Sequence, residues 1–261
     1  MIATIVAGAS DGVVVGALQS GTSGPAIVYV HGVGSTAESW LPQLRALQHE
    51  YRNYAVQLRG AAGAPDPSPE KISRSGYVRD VLGVMDAAGI AKAHFVGCSL
   101  GGVVGFELWK AARERVASFT FVGSFAAYPD GQAYADGIKE AVRAAGTMEA
   151  FARIRVGRLN LPKEREEAAI AEMAIKSVSS YIAATQATWT GDYRDILPTI
   201  SVPTLVITGE RDAVAPPAMG REIAAGIPEA RFVEVAGAGH VTNADAPDVF
   251  NALLRDFLSN R

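Results

Sequence analysis

Apolar positions in this chain follow two rhythms. The first is a set of short, nearly continuous runs rich in β-branched residues, such as Ala26-Ile27-Val28-Tyr29-Val30, Ala93-His94-Phe95-Val96 and Pro203-Thr204-Leu205-Val206-Ile207-Thr208. Runs this short and this apolar fit strands buried on both faces. They predict strands near residues 2–6, 13–19, 26–30, 54–58, 93–97, 116–122, 203–208 and 231–235. The second rhythm is helical and fills the intervals at 36–49, 75–89, 100–113, 217–226 and 245–259. Strand alternating with helix predicts an α/β fold, a mostly parallel sheet with helices on both faces. The opening differs. Asp11-Gly12 breaks the apolar start from Met1 to Ser10 as a hairpin turn does, so the first two strands are expected to pair directly.

One interval is too long for a crossover. From Phe125 to about Asp195 the strand signal is absent and the chain is Ala-rich with scattered charge. The segments Tyr134 to Ala145, Met148 to Gly157 and Lys163 to Thr188 read as helices inserted after the sixth strand. The expected division is a core of residues 1–124 and 196–261 with a helical cap at 125–195. An insertion there lies over the carboxyl ends of the strands, where α/β sheets bind ligands. Phe151, Tyr181 and Trp189 are its candidate pocket-lining aromatics.

The candidate chemistry sits at strand ends. Gly97-Cys98-Ser99-Leu100-Gly101 follows the fifth strand and opens a helix. In strand, G-x-S-x-G, helix, the turn is so sharp that the serine hydroxyl is forced outward at a helix N-terminus. A serine needs a base, and the base an orienting acid. Asp212 lies where the seventh strand hands over to a loop, with Glu210 as the competing acid. His240 follows the eighth strand in the loop Ala236-Gly237-Ala238-Gly239, whose small residues predict flexibility. Of the other histidines, His49 and His94 fall within predicted elements, and His31 fits a structural role holding its loop. Donors for an oxyanion are expected from the backbone amides of Val33, in His31-Gly32-Val33-Gly34-Ser35, and of Leu100.

Composition narrows the class. The chain has 261 residues, 49% hydrophobic and 20% charged, which suits a sizeable core. A net charge of −3 argues against nucleic acid or an anionic membrane as partner. No apolar run approaches membrane-spanning length. No metal-ligand cluster or phosphate-binding glycine motif is present, so neither metal nor cofactor is expected. Cys98 is the only cysteine, which fits a reducing, cytoplasmic compartment.

Together these residues resemble the α/β-hydrolase family across essentially the whole chain, and within it the 3-oxoadipate enol-lactonases. Ser39-Trp40 with Pro42-Gln43-Leu44, the elbow with Gly102, Asp192-Tyr193-Arg194, Gly209 to Pro217, and Gly239 to Pro247 carry the likeness. The resemblance implies an eight-stranded hydrolase sheet with Ser99 as nucleophile, Asp212 as acid, His240 as base, and the Val33 and Leu100 amides as oxyanion donors. The expected activity is hydrolysis of a small ester or lactone. C–C bond hydrolysis of a ring-cleavage diketone by the same triad is the alternative, followed by perhydrolysis, cofactor-free oxygenation and inert ligand binding. Candidate substrate contacts are Trp40, Trp189, Arg59 and Phe151, with Arg153 or Arg155 as further anchors for a carboxylate. One loop departs from the family pattern D-x-R-G-x-G-x-S: here it is Gln57-Leu58-Arg59-Gly60-Ala61-Ala62-Gly63-Ala64-Pro65. That leaves room for a different substrate. Monomer and homodimer both stay open.

Overall fold

A computed structural model describes residues 2–64, 67–159, 161 and 163–259, with the side chain of Glu164 excepted. Met1 and Pro65, touched on above, lie outside them. The chain opens with an antiparallel hairpin of β1 (Ala3–Gly8) and β2 (Val14–Ser20). Its turn closes with the Ala9 amide donating to the Val13 carbonyl at 2.8 Å, and Gly12 takes φ 80°. β3 (Ala26–Val30) follows, then α1 (Leu41–Leu47), β4 (Arg52–Gln57), α2 (Arg74–Ala87), β5 (Ala93–Cys98), α3 (Leu100–Ala112) and β6 (Val116–Val122). Four helices come next: α4 (Gly131–Ala145), α5 (Met148–Val156), α6 (Lys163–Ala174) and α7 (Val178–Trp189). The chain then returns to the sheet with β7 (Thr204–Gly209), α8 (Pro217–Gly226), β8 (Arg231–Val235), α9 (Thr242–Asp245) and α10 (Pro247–Ser259).

The strands form one eight-stranded sheet in the order β1-β2-β4-β3-β5-β6-β7-β8. β2 pairs antiparallel with β4, and every pair from β4·β3 to β7·β8 is parallel. β3 and β7 are buried along their whole length, as their unbroken apolar runs require. Side chains alternate between two cores. Tyr29, Val96, Val122 and Ile207 face α1 and α10. Val28, Phe95, Phe119 and Val206 join the larger cluster with α2, α3, α8 and the inserted helices.

The helical segment expected from Lys163 to Thr188 is two helices. The break falls at Ile175-Lys176-Ser177, where the Ser177 hydroxyl accepts the Ser180 amide at 3.1 Å and caps α7. Among the described residues no helix is long and apolar enough to cross a membrane.

Candidate active site

The elbow is built by close backbone approach. A Cβ on Gly97 would lie 2.4 Å from the Gly101 carbonyl oxygen, and one on Gly101 would lie 2.2 Å from that of Val30. Only glycine fits at either place. Between them Ser99 takes φ 53° and ψ −110°, held by its amide donating to the Val122 carbonyl at 3.0 Å. Leu100 begins α3, so its amide is one of the donors a helix start leaves unpaired. The loop after β3 lies alongside: a Cβ on Gly32 would sit 3.4 Å from the Ser99 Cβ.

Asp212 is buried and fully committed. One carboxylate oxygen accepts the Val214 and Ala215 amides, both at 2.8 Å. The other faces His240 Nδ1 at 2.8 Å. That contact assigns the proton to Nδ1 and leaves Nε2 free to accept. Glu210, the competing acid, instead accepts the Gly237 amide at 2.7 Å on the exposed side of the loop.

The loop carrying His240 is tied, contrary to the flexibility its composition suggests. The Gly239 amide donates to the Asp245 carboxylate at 2.7 Å, and the Arg211 amide to the Ala238 carbonyl at 2.8 Å. The backbones pack so closely that a Cβ on Gly209 would lie 2.2 Å from the Gly239 oxygen. Burial raises the Asp245 carboxyl to about 6, with the Gly239 bond and His240 opposing the rise.

His31 supports the opposite side. Its Nδ1 lies 2.9 Å from the Gly32 carbonyl, and its Nε2 accepts the Leu58 amide at 3.3 Å. Full burial, with Lys176 adding to it, lowers its pKa to about 3. The ring is therefore neutral and fixed as the Nδ1–H tautomer.

Ser99 and His240 line one cavity of about 80 Å³, with Val33 on the loop side and Arg155, Met173 and Trp189 from the inserted helices. Trp189 is the expected wall aromatic that reaches it. It stacks on Phe125 with centroids 5.1 Å apart, and its indole N–H is buried without a partner.

Four expected contacts lie elsewhere. Trp40 is in the core on the α1/α10 side, 5.1 Å from Tyr29 and 6.1 Å from Phe250 between ring centres. Apolar packing, not a ligand, accounts for its burial. Arg59 is locked in an ion-pair network. It reaches Asp80 at 2.7 Å and Asp11 at 2.6 Å, and its own amide donates to Asp80 at 2.9 Å. The guanidinium holds the Asp11 carboxyl well below the usual carboxylate range. Phe151 packs edge-on against Tyr181, 5.3 Å between centres, inside the inserted helices. Arg153 is exposed and paired with Glu149 and Glu167.

A sheet of this order, an elbow serine and an Asp–His pair at its carboxyl edge invite comparison with known proteins, and a match to the Alpha/beta hydrolase family spans residues 27–253. The chain belongs to the alpha/beta hydrolase family. It is a hydrolase by that membership and by its relatives. It is 33% identical over 259 residues to a protein of Azorhizobium caulinodans named as a RutD carbamate hydrolase, covering 90% of this chain and 91% of that one. It is 30% identical over 241 residues to 3-oxoadipate enol-lactonase 1 of Acinetobacter baylyi, covering 90% and 89%. Among solved structures, the enol-lactonase from Burkholderia xenovorans LB400 superposes with a TM-score of 0.89 at 28% identity, covering 98% of this chain and all of that one.

Proposed function

We propose that this hydrolase cleaves a small carboxylic ester or lactone through an acyl-enzyme on Ser99. The observation that carries the reading is the Asp212–His240 contact at 2.8 Å, in one cavity with a serine on a positive-φ elbow. Ser99 Oγ attacks the carbonyl carbon as its proton passes to His240 Nε2. Asp212, held by two amides, stabilises the imidazolium and keeps the ring's tautomer. The oxyanion faces the Val33 and Leu100 amides. Collapse breaks the ester C–O bond, and the leaving oxygen takes the proton from His240. Water then gives a proton to His240 and attacks the acyl carbon, and Ser99 departs reprotonated. The inserted helices act as a lid that keeps the cavity small.

A second reading is supported by the carbamate-hydrolase relatives. In it the same groups cleave a carbamate, whose acyl part is only a few atoms.

The deciding experiment combines a serine-directed fluorophosphonate with turnover of a panel of short esters, lactones and carbamates. Labelling at Ser99, and loss of turnover by on the order of 10^6 in Ser99→Ala, are expected. An alanine variant that stays within about tenfold of the parent refutes the nucleophile.

A further inference from the structure

Among the described residues, Arg155 is a buried cation that pairs with no carboxylate. Its side chain is 6% exposed, and the groups acting on it are burial, Tyr134 and Tyr181. Its guanidinium donates to the Tyr134 hydroxyl at 2.9 Å and lies 5.8 Å from the centres of the Tyr134 and Trp189 rings. A guanidinium has five N–H donors, so the Tyr134 and Tyr181 hydroxyls engage only some of them. Arg153, two positions earlier, shows the contrast: in solvent it finds two glutamates. The buried arginine, where an unpaired charge costs most, has none among the described residues. The unpartnered indole N–H of Trp189 is a further buried donor beside it.

Arg155 and Val214 also border a second, open pocket of about 430 Å³ on their outer side. Arg158, Arg211, Tyr128, Tyr134, Gly157 and Ala213 complete its wall, and among the described residues no acid lines it. Arg158 and Arg211 are exposed. Three arginines lining one concavity, with Tyr128 and Tyr134 beside them, offer the kind of donors an oxyanion takes.

We propose that this outer pocket is an anion site centred on Arg155, with Arg158 and Arg211 at its mouth. It holds the carboxylate or phosphate end of a substrate whose carbonyl lies at Ser99; that last placement rests on the reading above. The substrate is then a small acyl compound with a short spacer to an oxyanion. The neutral part fills the inner cavity and the charged part remains among the arginines.

Matched substrates test it: monomethyl glutarate against dimethyl glutarate, and 2-phosphoethyl acetate against 2-methoxyethyl acetate. Arg155→Gln is expected to lower the anionic-to-neutral ratio of kcat/KM roughly 10- to 100-fold, mainly through the KM of the anionic member. Arg155→Lys recovers part of the loss. Arg158→Gln with Arg211→Gln, both on the surface, is expected to cost about threefold and to flatten the salt dependence of kcat/KM. This double variant decides the matter if Arg155→Gln fails to fold. Calorimetry on Ser99→Ala with glutarate and with inorganic phosphate reads the site without turnover, so it stands even if the serine-hydrolase reading falls. The tighter of the two anions names the source of the charge. Equal losses on charged and neutral substrates, or no binding of either anion, overturn the proposal.

Discussion

Replacing His31 with leucine should remove an acid sensitivity from the fold. The ring is fully buried, so its pKa falls from the ordinary 6.5 to about 3 in the folded chain. At about pH 8 it is neutral folded or unfolded and adds no pH term. As pH falls below the unfolded value, the unfolded chain takes up a proton that the folded chain refuses. Stability is thus present above that value and lost between about pH 6.5 and 3. Working the two titrations through at about pH 5 gives a loss of about 2 kcal/mol relative to about pH 8. Leucine also strands the Leu58 amide that His31 now accepts, a cost of about 1–3 kcal/mol at every pH. The two effects separate in urea unfolding at both pH values. The constant part lowers both midpoints, and the pH-dependent part appears as a smaller gap between them. If the parent and His31→Leu lose equal stability on acidification, His31 is not held neutral and the argument fails.

Asp212→Asn should lower turnover about 10^4-fold through the wrong tautomer of His240, while Glu210→Gln, on an exposed carboxylate, should change it little; steady-state kinetics on one ester decide, and the reverse ranking reassigns the acid. Arg59→Met should destabilise by about 3–5 kcal/mol, because it leaves Asp80 charged and buried. Chemical denaturation measures this, and a loss under about 1 kcal/mol removes the network from the stability account. Asp245, raised to about 6 from 3.8, works opposite to His31: its stabilising share is full below the unfolded value and lost as pH rises through the folded one. Asp245→Asn should therefore gain about 1 kcal/mol at about pH 8, allowing for its partial exposure, and nothing at about pH 4. Equal melting shifts at both pH values count against it.

The strands, the glycine elbow at Ser99 and the places of Asp212 and His240 just after strands were legible because each is local. A short apolar run ending in a glycine turn means the same thing wherever the chain goes next. Trp40 and Arg59 were not, because their residue types suit a pocket wall as well as a core. What decides for them is Phe250 and Asp80, which come from distant parts of the chain. The His240 loop shows the same limit. Glycines and alanines read as slack, yet a bond to Asp245 and the approach of Gly209 hold it. Arg153 and Arg155 differ by the rotation of one helix. Two residues of α5 place them on opposite sides, one in solvent and one in the cavity wall, and only the packing of that helix sets its phase.

The elbow also restricts which nucleophiles this scaffold could carry in evolution or design. A backbone at φ 53° with its neighbours pressed to carbonyl contact is hostile to a branched Cβ. Threonine offers the same hydroxyl as serine, but its extra methyl has to find room in that turn. Cysteine adds no branch and keeps the reach. A library at position 99 should therefore yield thiol enzymes and no threonine enzymes, although threonine is the nearer relative of serine in chemistry. The choice of reacting atom is made by the shape of the main chain as much as by the reaction it serves.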